Sequence, residues 1–452
     1  MNVEEQPWRR PFGGYFQPKG LAHDPELTHV GPGTSGGEYL RRFWHPVAMS
    51  TELGETPLLI RILSEDLVLF RDHGCQLGLL HRHCAHRGSS LEYGIPMQRG
   101  LRCCYHGWTW DVDGSCLETP GEPPQSRLKE SVFQGAYPVH EIDGLIFAYM
   151  GPPGEQPALP IFDITGQPDT EVAAFSILID CNWLQTHENA IDPVHAAFLH
   201  ARPDADSFGS AFTVVPQIDL METPVGLVVL STRRWKDKVW TRATELVIPN
   251  LAHIPMPFED GEHERMFGRA AFTRWVVPVD DTHNIYIGWR FFSETLDPFG
   301  KGNPARCGKN MIDFPGQERD RDPAEAQIDP GDLEAQVSQG AIAVHAAEHL
   351  GTTDRGVLAL RRVLRQGVHA VAAGEPLMAP RSPWADGVIP TYGHDTVLTL
   401  PPAQGAARDE ESERLGAIAT LVHSTVIVSA DQPRAERDAW VAAQVHAGMA
   451  EI

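Results

Sequence analysis

The sequence predicts an α+β protein in which a small all-β unit precedes a larger mixed one. Three observations carry this. The chain has 452 residues, more than one hydrophobic core usually serves, so two domains are expected. Between residues 39 and 154 short apolar runs alternate with turns, and two Cys/His segments are set among them. Beyond residue 170, helical stretches alternate with longer strands.

In chain order, residues 1–38 are rich in Pro and Gly and read as an N-terminal arm. Residues 39–154 form the first domain, with strands expected at 58–63, 67–70 and 144–150. Residues 155–400 form the second. A helical section runs from about Trp183 to His200, strands follow at 227–230 and 284–290, and the polar turn 280–284 closes a hairpin. Residues 302–331 read as a polar excursion loop, and 332–373 as helical, with Leu358, Leu360, Val363 and Leu364 as a partial apolar stripe. Residues 401–452 form a C-terminal extension with an acidic patch (Asp409, Glu410, Glu411, Glu413) and a terminal helix after Pro433.

A net charge of −23 argues against a nucleic-acid surface. Seven cysteines in so long a chain are too few for a disulfide scaffold. The amino terminus is polar, and no apolar run approaches the roughly 20 residues of a membrane span. A cytoplasmic protein is expected.

Two segments are chemically loaded. Cys84-Ala85-His86 and Cys103-Cys104-Tyr105-His106 each offer one thiolate and one imidazole, spaced C-x-H and C-x2-H. A binuclear iron–sulfur centre of the Rieske kind needs this stoichiometry, two Cys on one iron and two His on the other. A structural zinc site uses the same donors, but groups like ligands as C-x2–4-C and H-x3–5-H. Here each loop carries one of each. Only Cys103 gives the C-x2-H interval, so Cys104 is expected to be a free thiol. Gly88 and Gly107, close behind the His ligands, suit tight loop turns.

A further segment, residues 182–200, holds Asp192, His195 and His200. Residues five apart on an ideal α-helix point about 140° apart, so the two His converge only if the helix is broken. Pro193 disfavours helical backbone at Asp192 and allows a second helix to begin there, with Asp192 as its cap. As a site, two imidazoles and one carboxylate on one face of iron(II) leave positions open for dioxygen. His187 has no comparable spacing and reads as structural.

With these motifs the chain resembles the large-subunit family of Rieske non-haem iron ring-hydroxylating oxygenases, most of all its phthalate-dioxygenase branch with the phenoxybenzoate-type enzymes. The carriers are the two Cys/His loops, the segment 188–200 and the segment 351–362. The resemblance implies a Rieske [2Fe-2S] domain bound through Cys84, His86, Cys103 and His106. It also implies a helix-grip, START-like catalytic domain holding mononuclear iron through His195, His200 and Asp354. In that family Asp192 would bridge a cluster histidine, His106, to the iron histidine His195 between neighbouring subunits of a trimer. A trimer, or a hexamer built from trimers, is therefore expected. Asp354 is a reading from resemblance alone, and an aspartate there also suits a helix cap.

The activity so implied is that of a terminal oxygenase, using O2 and electrons from a flavin/iron–sulfur reductase to hydroxylate an aromatic substrate. An aromatic acid undergoing cis-dihydroxylation is expected first. O-demethylation or monooxygenation of an aryl ether is the alternative, and a Rieske electron carrier the remaining one. No GxGxxG strand–turn–helix unit is present, so NADH acts through the reductase. A substrate carboxylate would need a cation in an apolar pocket. Arg202, Arg233, Arg234, Arg242, Arg269, Arg274 and Arg290 lie in the catalytic half, and sequence does not choose among them.

Overall fold

The computed structural model describes residues 11–200, 209–314, 316–319, 321–402 and 408–451. Two short helices open the described chain, α1 (Pro25–Thr28) and α2 (Ser35–Leu40), each started by a side-chain cap from Asp24 and Thr34. They are more than a loose arm. Leu27, Val30, Tyr39 and Leu40 are fully or almost fully buried in the main core, and Asn182 Nδ2 donates to the Thr28 carbonyl at 2.9 Å.

The first domain follows as eleven short strands. These are β1 (Trp44–Met49), β2 (Leu58–Ile62), β3 (Glu65–Arg71), β4 (Leu77–His81), β5 (Ile95–Pro96), β6 (Leu101–Arg102), β7 (Thr109–Trp110), β8 (Cys116–Glu118), β9 (Ala136–Tyr137), β10 (Val139–Ile142) and β11 (Leu145–Tyr149). They form three antiparallel sheets, ordered β1-β11-β10, β2-β3-β4-β9 and β5-β6-β7-β8. The first Cys/His loop leaves the end of β4, and the second joins β6 to β7. A separate small core of Val68, Phe70, Leu80, Leu91, Leu101, Trp108 and Trp110 closes over both cysteines.

The second domain is built on one antiparallel sheet. Its members are β12 (Glu171–Ile179), β13 (Gln217–Thr223), β14 (Gly226–Trp235), β15 (Lys238–Val247), β16 (Leu251–Pro255), β17 (Arg265–Asp280), β18 (His283–Phe292) and β19 (His394–Thr399). The order is β12-β18-β17-β16-β15-β14-β13, with β19 pairing β15 and β17. Hairpin connections explain the order, and Asp280 accepts from Thr282 to close the expected turn between β17 and β18.

Helices cover this sheet. Between β12 and β13 lie α3 (Trp183–Asn189) and α4 (His195–Phe198), and after β18 come α5 (Pro323–Ile328) and α6 (Asp332–Val337). The stretch 332–373, expected as one helical region, is split. It contains α6, irregular chain, and the long α7 (Arg355–Ala373), which ends at Gly374 with φ +68°. Arg361 holds α7 to α3 with a bidentate pair to Glu188, Nε–Oε1 2.5 Å and Nη2–Oε2 2.8 Å.

The final helices are α8 (Arg408–Val428) and α9 (Arg437–Gly448). The expected extension is part of the core, because Ile418, Ala419, Val422, Val426, Val441 and Val445 are all fully buried. Arg437, also fully buried, donates to Asp163 Oδ2 at 2.7 Å and to the Thr391 carbonyl at 2.7 Å. The apolar residues of α8 form no single stripe, so amphipathic periodicity does not reveal it.

Candidate active site

The two Cys/His loops are matched turns. Gly88 N donates to Cys84 O at 2.8 Å, and Gly107 N donates to Cys103 O at 3.1 Å. Both glycines have positive φ, +76° and +75°, which an L side chain rarely adopts. The turns place Cys84 and Cys103 inside, each 3 % exposed, while His86 and His106 stand partly exposed at the tip. The two imidazole rings lie 4.6 Å apart between centroids, and Trp108 stacks on His86 at 4.3 Å. Burial pushes the Cys84 thiol up, and a bound cation would favour its thiolate.

Two supports had no signal in the ligand spacing. Trp110 Nε1 donates to Cys84 Sγ at 3.3 Å. Gln134 pins the first loop from across the domain: its Oε1 accepts from Ala85 N at 2.7 Å, and its Nε2 donates to the carbonyls of His81 and His83. The donor set fits a two-iron cluster with thiolates buried and imidazoles outward. Cys104 is exposed, with its sulfur 3.9 Å from Ser89 Oγ.

At the second site α3 starts on the Asn182 cap and stops at Asn189. Asp192 Oδ1 then accepts from Val194 N at 2.9 Å and caps the turn, and α4 begins at His195, two residues later than Pro193. Because α4 ends at Phe198, His200 is off the helix. The rings of His195 and His200 therefore converge, with centroids 5.3 Å apart.

Asp332, the first residue of α6, completes the group. Its Oδ1 lies 3.0 Å from His200 Nε2 and 3.6 Å from His195 Nε2. One ligand atom from each of these three residues lies within 4.8 Å of the others. Glu334 Oε2 accepts from Gly331 N at 2.7 Å and fixes the start of α6, and Gln317 donates to Asp332 Oδ2. Asn189 Nδ2 donates to Asp332 Oδ1 at 3.3 Å. Burial alone would raise the Asp332 carboxyl, but the His200 charge and hydrogen bond, with His195 and Arg274, hold it well below its usual range. His195 Nδ1 is buried without a hydrogen bond and lies 3.7 Å from Asp192 Oδ2, an ion-pair separation. Two imidazoles and one buried carboxylate converging in this way fit iron(II).

Asp354 is not in this group. Its Oδ2 accepts from Gly351 N at 2.6 Å, so the residue stands at the N-cap position of α7 with its side chain turned back to the preceding turn. The structure thus brings Asp332, and not Asp354, to the two histidines. Both acids precede helical sequence, and spacing from the His pair does not distinguish them. His187 is fully buried against Trp183 outside the cluster, as expected for a structural residue.

His195, His200 and Asp332 line a cavity of about 80 Å³, with Asp192 in its wall. Phe212, Val229, Ile254 and Phe314 supply its apolar lining. Of the candidate arginines, Arg233, Arg242 and Arg274 face it. Arg234 pairs with Glu411, Arg269 with Asp163 and Asp438, and Arg290 lies between Phe272 and Phe292. Arg202 is outside the described residues. A larger cavity of about 340 Å³ lies between Trp44, Trp275 and Leu377, and no metal-ligand candidate lines it.

Residues 43–136 match the family model of the Rieske [2Fe-2S] domain. Over 390 residues, 83 % of this chain and 83 % of the relative, the sequence is 45 % identical to the tert-butanol monooxygenase / tert-amyl alcohol desaturase oxygenase subunit of Aquincola tertiaricarbonis. Over 370 residues, 78 % of this chain and 86 % of the relative, it is 39 % identical to the phenoxybenzoate dioxygenase subunit alpha of Ectopseudomonas oleovorans. The chain belongs to the Rieske non-haem iron oxygenases. The fold agrees. Dicamba monooxygenase bound to dicamba superposes with a TM-score of 0.55 at 20 % identity, over 74 % of this chain and 99 % of that one.

As a Rieske oxygenase alpha subunit, the protein is a terminal oxygenase whose cofactors are a [2Fe-2S] cluster and mononuclear iron, reduced through a separate reductase. Cys84, His86, Cys103 and His106 are the residues suited to the cluster, and His195, His200 and Asp332 those suited to the iron. No helix among the described residues is long and apolar enough to cross a membrane.

Proposed function

We propose that this Rieske oxygenase hydroxylates a small aromatic acid at an iron held by His195, His200 and Asp332, with Asp192 linking that iron to the cluster of a neighbouring subunit. The observation that carries the reading is the convergence of three donors within 4.8 Å on the wall of a largely apolar cavity. When bound, the cluster supplies single electrons and the iron supplies dioxygen activation.

The chain's own residues prepare that chemistry. Gln317 occupies Asp332 Oδ2, which leaves Oδ1 facing the two imidazoles. Asp192 faces Nδ1 of His195 and favours a proton there, which leaves the Nε2 lone pair free to bind metal on the Asp332 side. The Asp192 side chain keeps about a third of its surface, 32 %, exposed, so a second imidazole can reach it from outside the chain. Phe212, Val229, Ile254 and Phe314 exclude water from the substrate space. In this reading His106 of one subunit meets Asp192 of the next, in a trimer or a hexamer of trimers. With Cys84 and Cys103 given to the cluster, the five remaining cysteines are free thiols, which suits a reducing cytoplasm.

A specific observation favours a second reading, monooxygenation of a small branched alkyl substrate. The cavity is only about 80 Å³, and the relative at 45 % identity is named for tert-butanol. Turnover under ¹⁸O₂ with a reductase, a panel of aromatic acids and aryl ethers, and tert-butanol separates the two. Two labelled oxygens in a ring product support dihydroxylation, one labelled oxygen in the ring product indicates monooxygenation, and an unlabelled phenol released with formaldehyde indicates O-demethylation. Labelling of the alcohol alone overturns the aromatic reading.

A further inference from the structure

One strand of the cavity floor carries a charge that no acid among the described residues pairs. Val229, Ser231 and Arg233 alternate along β14, so all three point to the same face, and all three line the cavity that holds the metal ligands. On the neighbouring strand Thr244 and Arg242 lie opposite Val229 and Ser231 and line it as well. The two arginines differ in what they meet. Arg242 pairs with Asp395 at 3.1 Å and donates to the carbonyls of Met256 and Pro255, each at 2.8 Å. Arg233 is 2 % exposed, and its Nε and one Nη are buried without any hydrogen-bond partner.

Arg233 is held by aromatic faces instead. Its guanidinium carbon lies 4.8 Å from the Trp240 ring centroid and 5.3 Å from that of Phe212, while Arg242 covers Phe212 at 5.5 Å. Two guanidinium groups therefore flank one ring with a single carboxylate, Asp395, between them in charge. Asp395 is itself engaged by Arg242 and by Trp240 Nε1 at 3.0 Å. A buried cation left without an acid is costly, since its lost hydration is not replaced. Burial first, and then the charge of Arg242, push the Arg233 pKa down to about 9, which still leaves it protonated at neutral pH. Arg274, the third arginine in the wall, donates to the Tyr286 hydroxyl and stacks on that ring at 4.3 Å.

We propose that Arg233 is the specificity-determining residue of this oxygenase, receiving the carboxylate of the substrate on its unpartnered guanidinium N–H groups. A planar guanidinium presents its donors as a fork that matches a carboxylate, so the anion supplies both the missing charge and the missing acceptors. The apolar lining then takes the rest of the substrate, with the aromatic faces of Phe212 and Trp240 keeping the fork in place. This inference rests on the acid-substrate reading above.

The test is anaerobic calorimetric titration of the metal-loaded protein with benzoate against benzamide, and with pivalate against pivalamide to separate aryl from branched-alkyl acids. For wild type, a preference for acid over amide of about 10- to 100-fold is expected in at least one pair, the scale of a charge-assisted hydrogen bond. In Arg233→Gln that ratio falls to about one, while iron content, cluster absorbance and amide affinity stay as in wild type. Arg233→Lys, which keeps the charge but not the fork, retains part of the preference and carries the same test if the glutamine variant does not fold. An undiminished preference in either soluble variant overturns the assignment to Arg233 and leaves the acid reading standing. A wild type that binds acid and amide equally overturns both, while ¹⁸O incorporation into neutral substrates reports oxygenase function independently.

Discussion

Gln317 donates its side-chain amide to Oδ2 of Asp332, the carboxylate whose Oδ1 lies 3.0 Å from His200 Nε2. Gln317 is 2 % exposed and belongs to a stretch that reads in sequence as a polar excursion. Its role is orientation, so Gln317→Leu is expected to weaken iron binding about 10- to 100-fold, the usual cost of losing a partner behind a metal ligand. Chelator competition monitored by iron analysis checks this, with cluster absorbance unchanged. Wild-type iron affinity in the variant would contradict it.

Asp192 is expected to act on electron flow rather than on metal content. Asp192→Ala should retain three irons per chain and nearly abolish product formation. Stopped-flow reoxidation of the reduced cluster, with substrate and O2 present, should slow in parallel. Full turnover in this variant would remove the bridge.

The Trp110 indole donates to the sulfur of Cys84, the proposed cluster ligand, and such donors stabilise the reduced, more negative cluster. Trp110→Phe should lower the reduction potential by about 40 mV, taking about 1 kcal/mol for the bond and 59 mV per tenfold change for one electron. Redox titration followed by visible absorbance or electron paramagnetic resonance measures it. A potential that is unchanged or higher would contradict the assignment.

Much of this protein was legible in its sequence because the candidate metal ligands sit on short local motifs. Cys84, His86, Cys103, His106, His195 and His200 are each read from neighbours a few residues away, and the structure brings them together as expected. The break that lets His195 and His200 converge was visible in Pro193. Asp332 was not, because β13 to β18 separate it in sequence from the two histidines, and an aspartate at a helix start is ordinary. Gln134 and Gln317 were invisible for the same reason. The terminal helix expected after Pro433 is α9, whereas α8 lacks an apolar stripe that would reveal it, although its valines complete the main core.

Acid stability follows from buried neutral histidines. His45 donates from Nε2 to the Leu40 carbonyl at 2.8 Å and accepts at Nδ1 from Asn250, so only its neutral form fits. Burial pushes His45 and His423 down to about 4 and His253 to about 3. Below the unfolded value near 6.5 the unfolded chain takes up these protons and the folded chain does not, so stability falls as pH falls. Glu245, raised by burial to about 8, works in the opposite direction by one proton. His187, pushed by burial to about 3, and His394, pushed well below its usual value, add to the three above. The net of about four protons amounts to roughly 5 kcal/mol per pH unit between pH 6 and 5. Urea unfolding at those two values should show the loss, and equal stability would contradict it.

The central claim is that Asp332 completes the mononuclear iron site, and iron counting on two variants tests it most directly. Wild type should hold three irons per chain. Asp332→Ala should fall to two, with the cluster spectrum intact, and Asp354→Ala should remain at three. Two irons in Asp354→Ala with three in Asp332→Ala would contradict the site.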